Sequence, residues 1–396
     1  MRHDEDEQPG GEGSEGGGAW GGSHEDASPA GAPWTIERER AWMTALALAG
    51  VEPAQLLVLQ RVQADATPTD AQTLQVCQTL AETNHPAACR MVARAYLAGQ
   101  VVPSDAVAGW AWMKKAADLS DPEAMMQWAL EHLLRDVPEG ETRPVDYLYR
   151  AAVNLQPDAA LMLARMQLAQ VPQTAAHRAE AYAWLTVGAM RDHAWSLYDL
   201  WRLSGMADDV PSDETWRTHW LRRAAELGLP VAQRLWGSTL WQQADSAAAR
   251  IEAEGWLHRA ASGGDPEAAY LLGAIMVHEH RPRDVSLGWT LTAARGGHQE
   301  AQWEVGRTLA DEPKGPRRLS EAAAWLSRAV VPSDQRDGAV GNQALERLEQ
   351  LHGELTDAQR AEVLDLLSDD TDADARRVFA GVCDLATQLR TSGGAA

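Results

Sequence analysis

Three clusters in this 396-residue chain have residue types and spacings that could do chemistry. His278-Glu279-His280 is a close histidine pair, and two imidazoles in one loop could seed a metal site. No His-x3-His or Cys-x2-Cys accompanies it, so the expectation is a solvated loop between two helices and no metal. Cys77 and Cys89 fall in adjacent predicted helices, where the expectation is buried thiols rather than a bridge. The acidic run SDDTDADA (368–375) lacks the glycine and terminal glutamate of a calcium loop and reads as solubilising. Nucleotide-cradling and nucleophile-positioning sequences such as G-x4-GK-[ST], G-x-S-x-G and G-x-G-x2-G are absent. No residue is therefore assigned to catalysis, a cofactor or a metal, and the chain is not expected to be an enzyme.

The elements that position these residues are helical. Ala, Leu, Glu, Arg and Gln dominate, one Phe (Phe379) stands against 17 Trp, and Val and Ile are too scattered for a sheet core. The length exceeds what one compact core usually serves, and an array in which each unit buries surface only against its neighbours is the other way to use it. A formal charge of −22 speaks against nucleic acid. Two segments, 1–33 and 354–374, each carry eight acids and one Arg, so the body between them is only mildly acidic. Three cysteines, an odd number, suit a reducing compartment. The N-terminus has no apolar leader and no 18-residue apolar run occurs, so a cytoplasmic protein without a membrane span is expected.

Residues 1–33 hold nine glycines and little that is apolar except Trp20, and read as a disordered acidic tail. Order is expected from near Trp34, with Thr35 as an N-cap, Gly50 as a helix stop, and further helices over 53–65 and 70–83. Residues 34–84 thus form N-terminal capping helices and a first degenerate repeat. Residues 85–331 form the array proper, and 332–396 form capping helices and a flexible tail.

A repeat fixes this division. Eight stretches align on one large position: Val76, Trp112, Tyr147, Trp184, Trp220, Trp256, Trp289 and Trp325, spaced 36, 35, 37, 36, 36, 33 and 36 residues apart. Four and five places after this anchor stands a pair that is usually Ala-Ala, which lets helices approach closely. Gly228, Gly264 and Gly297 sit eight places on, where a helix ends with positive φ. Pro86, Pro122, Pro157, Pro230 and Pro266 follow two places later, as the first turn of the next helix allows. The anchors are expected to be packing wedges between repeats rather than a ligand ladder.

The pattern resembles the Sel1-like repeat family, a relative of the tetratricopeptide repeat, whose unit reads approximately A-x3-LG-x2-Y-x2-G, then KA-x2-W-x2-KAA-x2-G-x3-A. Ala232, Trp236-Gly237, Ala268, Leu272-Gly273, Ala301 and Val305-Gly306 match the first half, as do Ala88, Tyr96 and Gly99 in an earlier unit. Trp220-x2-Arg223-Ala-Ala and Trp256-x2-Arg259-Ala-Ala match the second half, and LTDAQRAEV (355–363) is similar to a capping helix. The Trp184 unit departs most, with Trp201 where Gly belongs, and a distorted or wider helix pair is expected there. The resemblance implies an all-α, right-handed superhelical α/α solenoid of about eight degenerate hairpins of about 36 residues.

In function the resemblance implies a scaffold or adaptor that binds a partner protein. The alternatives are a regulatory or chaperone-like subunit of a larger bacterial complex, such as a secretion or signalling system, and a β-lactamase-like hydrolase of the kind described for secreted, cysteine-rich relatives. The paired cysteines of that last group are missing here.

In such superhelices the first helix of each unit lines the concave face, and positions two and six after its leading small residue share one helix side. Those positions include Arg90, Tyr198, Arg234, Tyr270 and Trp303 in one row and Arg94, Arg165, Arg202 and Arg307 in the other. Six arginines, three aromatics and no acid form a stripe in an acidic protein, and these residue types are common binding anchors. The expected partner is an extended or helical peptide with acidic groups or a C-terminal carboxylate. The competing reading pairs the arginines with carboxylates on the second helices.

Overall fold

The computed structural model describes residues 35–134, 142–207, 209–210, 213–311, 316–330 and 338–393. The acidic segment 1–33, with Trp20, lies outside them, as does Trp34. All the described regular structure is helical. Three helices come first: α1 (Ile36–Leu48), α2 (Glu52–Ala64) and α3 (Ala71–Glu82). Hairpins follow, pairing α4 (Pro86–Ala98) with α5 (Ala106–Asp118), α6 (Pro122–His132) with α7 (Pro144–Val153), and α8 (Pro157–Leu168) with α9 (Ala175–Ala189). Next come α10 (Ala194–Met206) with α11 (Glu214–Glu226), α12 (Pro230–Gln243) with α13 (Ala247–Ser262), α14 (Pro266–His278) with α15 (Arg283–Arg295), and α16 (Gln299–Asp311) with α17 (Pro316–Val330). Helices α18 (Gly338–His352), α19 (Asp357–Leu366) and α20 (Ala373–Gly393) close the chain. Thr35 caps α1 by accepting from the Arg38 amide, and Gly50 follows its end at φ +88°.

One turn is repeated from unit to unit, and the anchor spacing explains it. The residue eight after the anchor has positive φ in all seven cases from Asn84 to Gly297: Asn84, Ser120, Leu155, Asp192, Gly228, Gly264 and Gly297. Its amide bonds the carbonyl three residues back, and the next amide bonds the carbonyl five residues back, as in Leu155 N to Ala152 O (2.9 Å) and Gln156 N to Ala151 O (3.0 Å). The Ala-Ala pair thus supplies the carbonyls that close the helix. The next residue (His85, Asp121, Gln156, His193, Leu229, Asp265 or His298) directly precedes the first helix of the next unit. In five of these units proline opens that helix, where its missing N–H leaves no donor unpaired.

Three of these left-handed residues are glycine; Leu155, at φ +60°, is not. A left-handed L residue costs about 1–2 kcal/mol, and glycine loses about 0.5–1 kcal/mol more chain entropy. Replacing Leu155 by Gly is expected to stabilise the chain by up to about 1 kcal/mol, read from urea unfolding.

The core is a series of clusters, each shared by neighbouring hairpins. The first runs from Ala47 to Leu163, the next gathers Leu161, Leu185 and Leu200, and the next Leu197, Leu221 and Leu229. Trp184 packs against the first and second of these, Trp220 against the second and third, and Trp289 against two further clusters around Leu272 and Ala293. These half-buried anchors wedge neighbouring units together, as the spacing predicts. The cation three places on covers the anchor ring in four units: Lys115 over Trp112 at 4.7 Å, Arg150 over Tyr147 at 5.5 Å, Arg259 over Trp256 at 4.5 Å and Arg328 over Trp325 at 4.8 Å.

The acidic run departs from its expectation and the two cysteines meet theirs. The run 368–375 does more than solubilise: Asp372 takes Arg328 Nε at 2.9 Å and Nη2 at 2.6 Å, tying the closing helices to α17. Cys77 and Cys89 are free and buried, and burial pushes the Cys77 thiol up to about 12.

Candidate partner-binding face

First helices carry the predicted stripe because the turn delivers each of them at the same register. Their small residues meet the second helix closely. A Cβ on Gly237 would sit 3.0 Å from Ala253 O, and one on Gly273 would sit 3.0 Å from Thr290 Oγ1. With the second helix on that side, positions two and six after the leading small residue turn toward the next first helix.

The stripe arginines find carboxylates, but not on the second helices. Arg90, 7% exposed, donates from Nε to Asp121 (2.9 Å) and from Nη1 to Glu123 (2.7 Å). Arg94 pairs with Glu123 and donates to Ala66 O at 3.0 Å. Arg234 donates to Asp265 at 3.0 Å, and the Tyr270 hydroxyl donates to Glu304 at 3.1 Å. Arg165 Nε reaches Asp199 at 2.9 Å. In every case the acid lies on, or caps, the next unit's first helix. Asp121 and Asp265 also accept the Ala124 and Ala268 amides at 2.8 and 3.0 Å, so one carboxylate caps a helix and clasps two units. His193 to Asp158 (3.3 Å) and His298 to Glu267 (3.4 Å) reinforce two of these junctions.

These partners stand 31 or 34 residues after the stripe residue: 90 to 121, 234 to 265, 165 to 199 and 270 to 304. That recurrence is a signal the sequence contains and a reading confined to one helix face misses. Burial, with Glu304 and neighbouring carboxylates, pushes the Tyr270 phenol up to about 12. Trp303 packs against the C-terminal core, and Tyr198 lies between Trp195 and Trp201 at ring distances of 6.0 and 5.8 Å.

The more open cations are Arg165, Arg202 and Arg307, with side chains 46, 48 and 51% exposed. Arg307 stands 3.7 Å from Asp311, which also takes Arg347 at 3.0 Å. Arg165 and Arg202 share a single carboxylate. Asp199 is 1% exposed, with Arg165 at 2.9 Å and Arg202 at 3.4 Å, so the trio carries one uncompensated positive charge. Beside it opens a cleft of about 630 Å³ lined by Leu168, Arg202, Leu203 and Met206 and by the Arg178–Asp209 pair. The cleft lies between the α8–α9 hairpin and the end of α10, the helix in which Trp201 stands in place of Gly.

Small stripe residues leave a second opening. Ser238 and Ala274 border a cleft of about 430 Å³ walled by Trp241, Leu257, Leu271 and Ile275. His278 lines its end, while Glu279 turns to Arg281, which also holds the buried Glu254 at 2.7 Å. Among the described residues no three His, Cys, Asp or Glu side chains gather as a metal site would need. No helix among them is long and apolar enough to cross a membrane.

No protein-family model matches the chain, and no curated protein matches it. Solved structures do. A Sel1 repeat protein from Oxalobacter formigenes superposes with a TM-score of 0.52 at 23% identity, covering 78% of this chain and 89% of that one. A protective antigen of uropathogenic Escherichia coli strains with an SLR fold gives a TM-score of 0.44 at 19% identity, covering 88% of this chain and 82% of that one. The first of these likenesses, with the recurring turn and anchor positions, establishes the architecture: the chain is an all-α solenoid with the Sel1-like repeat fold.

Proposed function

We propose that the chain is a protein-binding scaffold that holds a segment of a partner along its first helices, with a carboxylate of that segment seated between Arg165 and Arg202. The observation that carries this reading is the shared Asp199: two guanidiniums meet one buried carboxylate, and the excess charge faces a cleft. A second carboxylate, from an acidic side chain or a chain terminus, would complete the set through charge-assisted hydrogen bonds. The apolar cleft between Ser238 and Ala274 suits an apolar side chain farther along the same segment. Arg90, Arg94 and Arg234, with side chains 9, 17 and 22% exposed against 46 and 48% for Arg165 and Arg202, hold the scaffold rather than the ligand.

Affinity purification with the chain changed at Arg165, Arg202 and Arg307 to Glu tests this reading. Capture of the partner found with the unchanged chain is expected to fall at least about tenfold, because each reversed charge repels the carboxylate it served. Undiminished capture overturns the assignment of the face. Helical circular dichroism checks that the triple variant is folded.

A further inference from the structure

A third cleft, of about 470 Å³, opens between the second helices α9 and α11. Tyr182, Thr186 and Met190 form one wall and Trp216, His219 and Trp220 the other, over a floor of Leu197 and Leu200. Trp220 is the anchor of its unit and meets Tyr182 edge-on at 6.3 Å and Trp216 at 6.4 Å.

This anchor lacks what four others have. Lys115, Arg150, Arg259 and Arg328 lie over the rings three places before them. The equivalent residue here, Arg223, turns away and donates from Nε and Nη2 to Asp192, both at 2.9 Å. Asp192 sits at the left-handed turn residue, φ +54°, which points it back toward α11. No Lys or Arg lies over Trp220 among the described residues, and Trp220 lines the cleft together with Tyr182 and Trp216.

The cleft is also negative. Asp192 is matched by Arg223, but Asp213 has no cation paired with it among the described residues. Hydrogen bonds from Thr215 and from the Trp216 amide hold its carboxyl below the usual range, so it stays ionised near neutrality. An aromatic-walled cleft with a surplus carboxylate favours a weakly hydrated cation that can rest on ring faces.

We infer that the cleft between α9 and α11 is a binding site for a quaternary ammonium group, seated against Tyr182, Trp216 and Trp220 with Asp213 as counter-ion. The site is independent of the peptide-binding face, since it lies between second helices and shares no residue with the Arg165–Asp199–Arg202 trio. Two sources carry this group: small molecules of the choline class, and trimethylated lysine on another protein.

Isothermal titration of the full chain with choline, glycine betaine, acetyl-trimethyllysine amide and acetyl-lysine amide tests the site. Choline and the trimethyllysine amide are expected to bind, with acetyl-lysine amide weaker by about tenfold or more because its ammonium is strongly hydrated. Glycine betaine is expected to bind less tightly than choline, since its carboxylate meets Asp213. The tighter of choline and trimethyllysine amide identifies the source.

Two variants separate binding from folding. Trp216, 59% exposed, is expected to lose about tenfold in affinity as Trp216→Ala without loss of helicity. Asp213→Asn keeps an N-cap acceptor but removes the charge, with an expected loss of about threefold or more. Absence of choline binding at millimolar concentrations, equal binding of unmodified lysine amide, or unchanged affinity in Trp216→Ala would each overturn the assignment.

Discussion

Replacing Asp121 by Ala is expected to lower the stability of the α4–α6 junction by about 3 kcal/mol. Two losses combine. The Ala124 amide loses its capping acceptor at 2.8 Å, worth about 1 kcal/mol. Arg90, 7% exposed, loses the partner of its Nε, and breaking a buried pair from one side costs about 3–5 kcal/mol. Glu123, still 2.7 Å from Arg90 Nη1, retains part of that pairing and holds the sum near the lower bound. Asp121→Asn keeps the cap acceptor and is expected to lose about half as much. Hydrogen exchange in α4 and α6 reads the opening of this unit directly. A loss no larger than a cap alone would mean that Arg90 does not clasp the two units.

Gly306→Val is expected to destabilise by about 3 kcal/mol, in the opposite sense to most glycine replacements within helices. A Cβ there would stand 2.8 Å from Leu326 Cγ and 3.1 Å from Leu326 N. A rotamer change moves the first contact but not the second, so α16 and α17 must separate. The natural control lies two units away. Gly255 is also inside a helix, yet a Cβ added to it meets nothing within 4 Å. Gly255→Ala therefore gains helix propensity alone, and the chain is expected to become about 1 kcal/mol more stable. Thermal unfolding of the two variants side by side measures the sign difference. Destabilisation by both would mean that Gly255, like Gly306, packs against a neighbouring helix.

The fold was legible because its rules are steric and repeat. An Ala-Ala pair, a large anchor and a proline at fixed offsets each answer a local packing demand, and the same demand recurs in every unit. Glycine made the turn visible at 228, 264 and 297. It was hidden at Ser120 and Leu155, where the same two backbone bonds impose the same φ on residues that do not advertise it. The stripe was legible as a list of residues but not as a set of contacts. Arg90 and Arg234 look like free cations on one helix face, and their partners belong to a helix 31 residues on. The cleft at α9–α11 was less visible still. It depends on Arg223 obeying the motif in sequence and leaving it in space.

The clasps between first helices are not evenly distributed, and this has a mechanical meaning. Side-chain clasps join α4 to α6, α8 to α10, α12 to α14 and α14 to α16. Among the described residues none joins α6 to α8 or α10 to α12, where Met126, Leu130, Tyr198 and Arg202 occupy the clasping positions. Along the first-helix face the array thus has three clasped blocks meeting at two unclasped joints, where apolar packing and, between α7 and α9, the Tyr149–Glu180 hydrogen bond (2.8 Å) hold the units. Opening of this face would begin at those joints before it reached the clasped blocks. A partner laid along it would meet segments whose register is fixed by side-chain clasps, separated by two places where only packing sets the spacing.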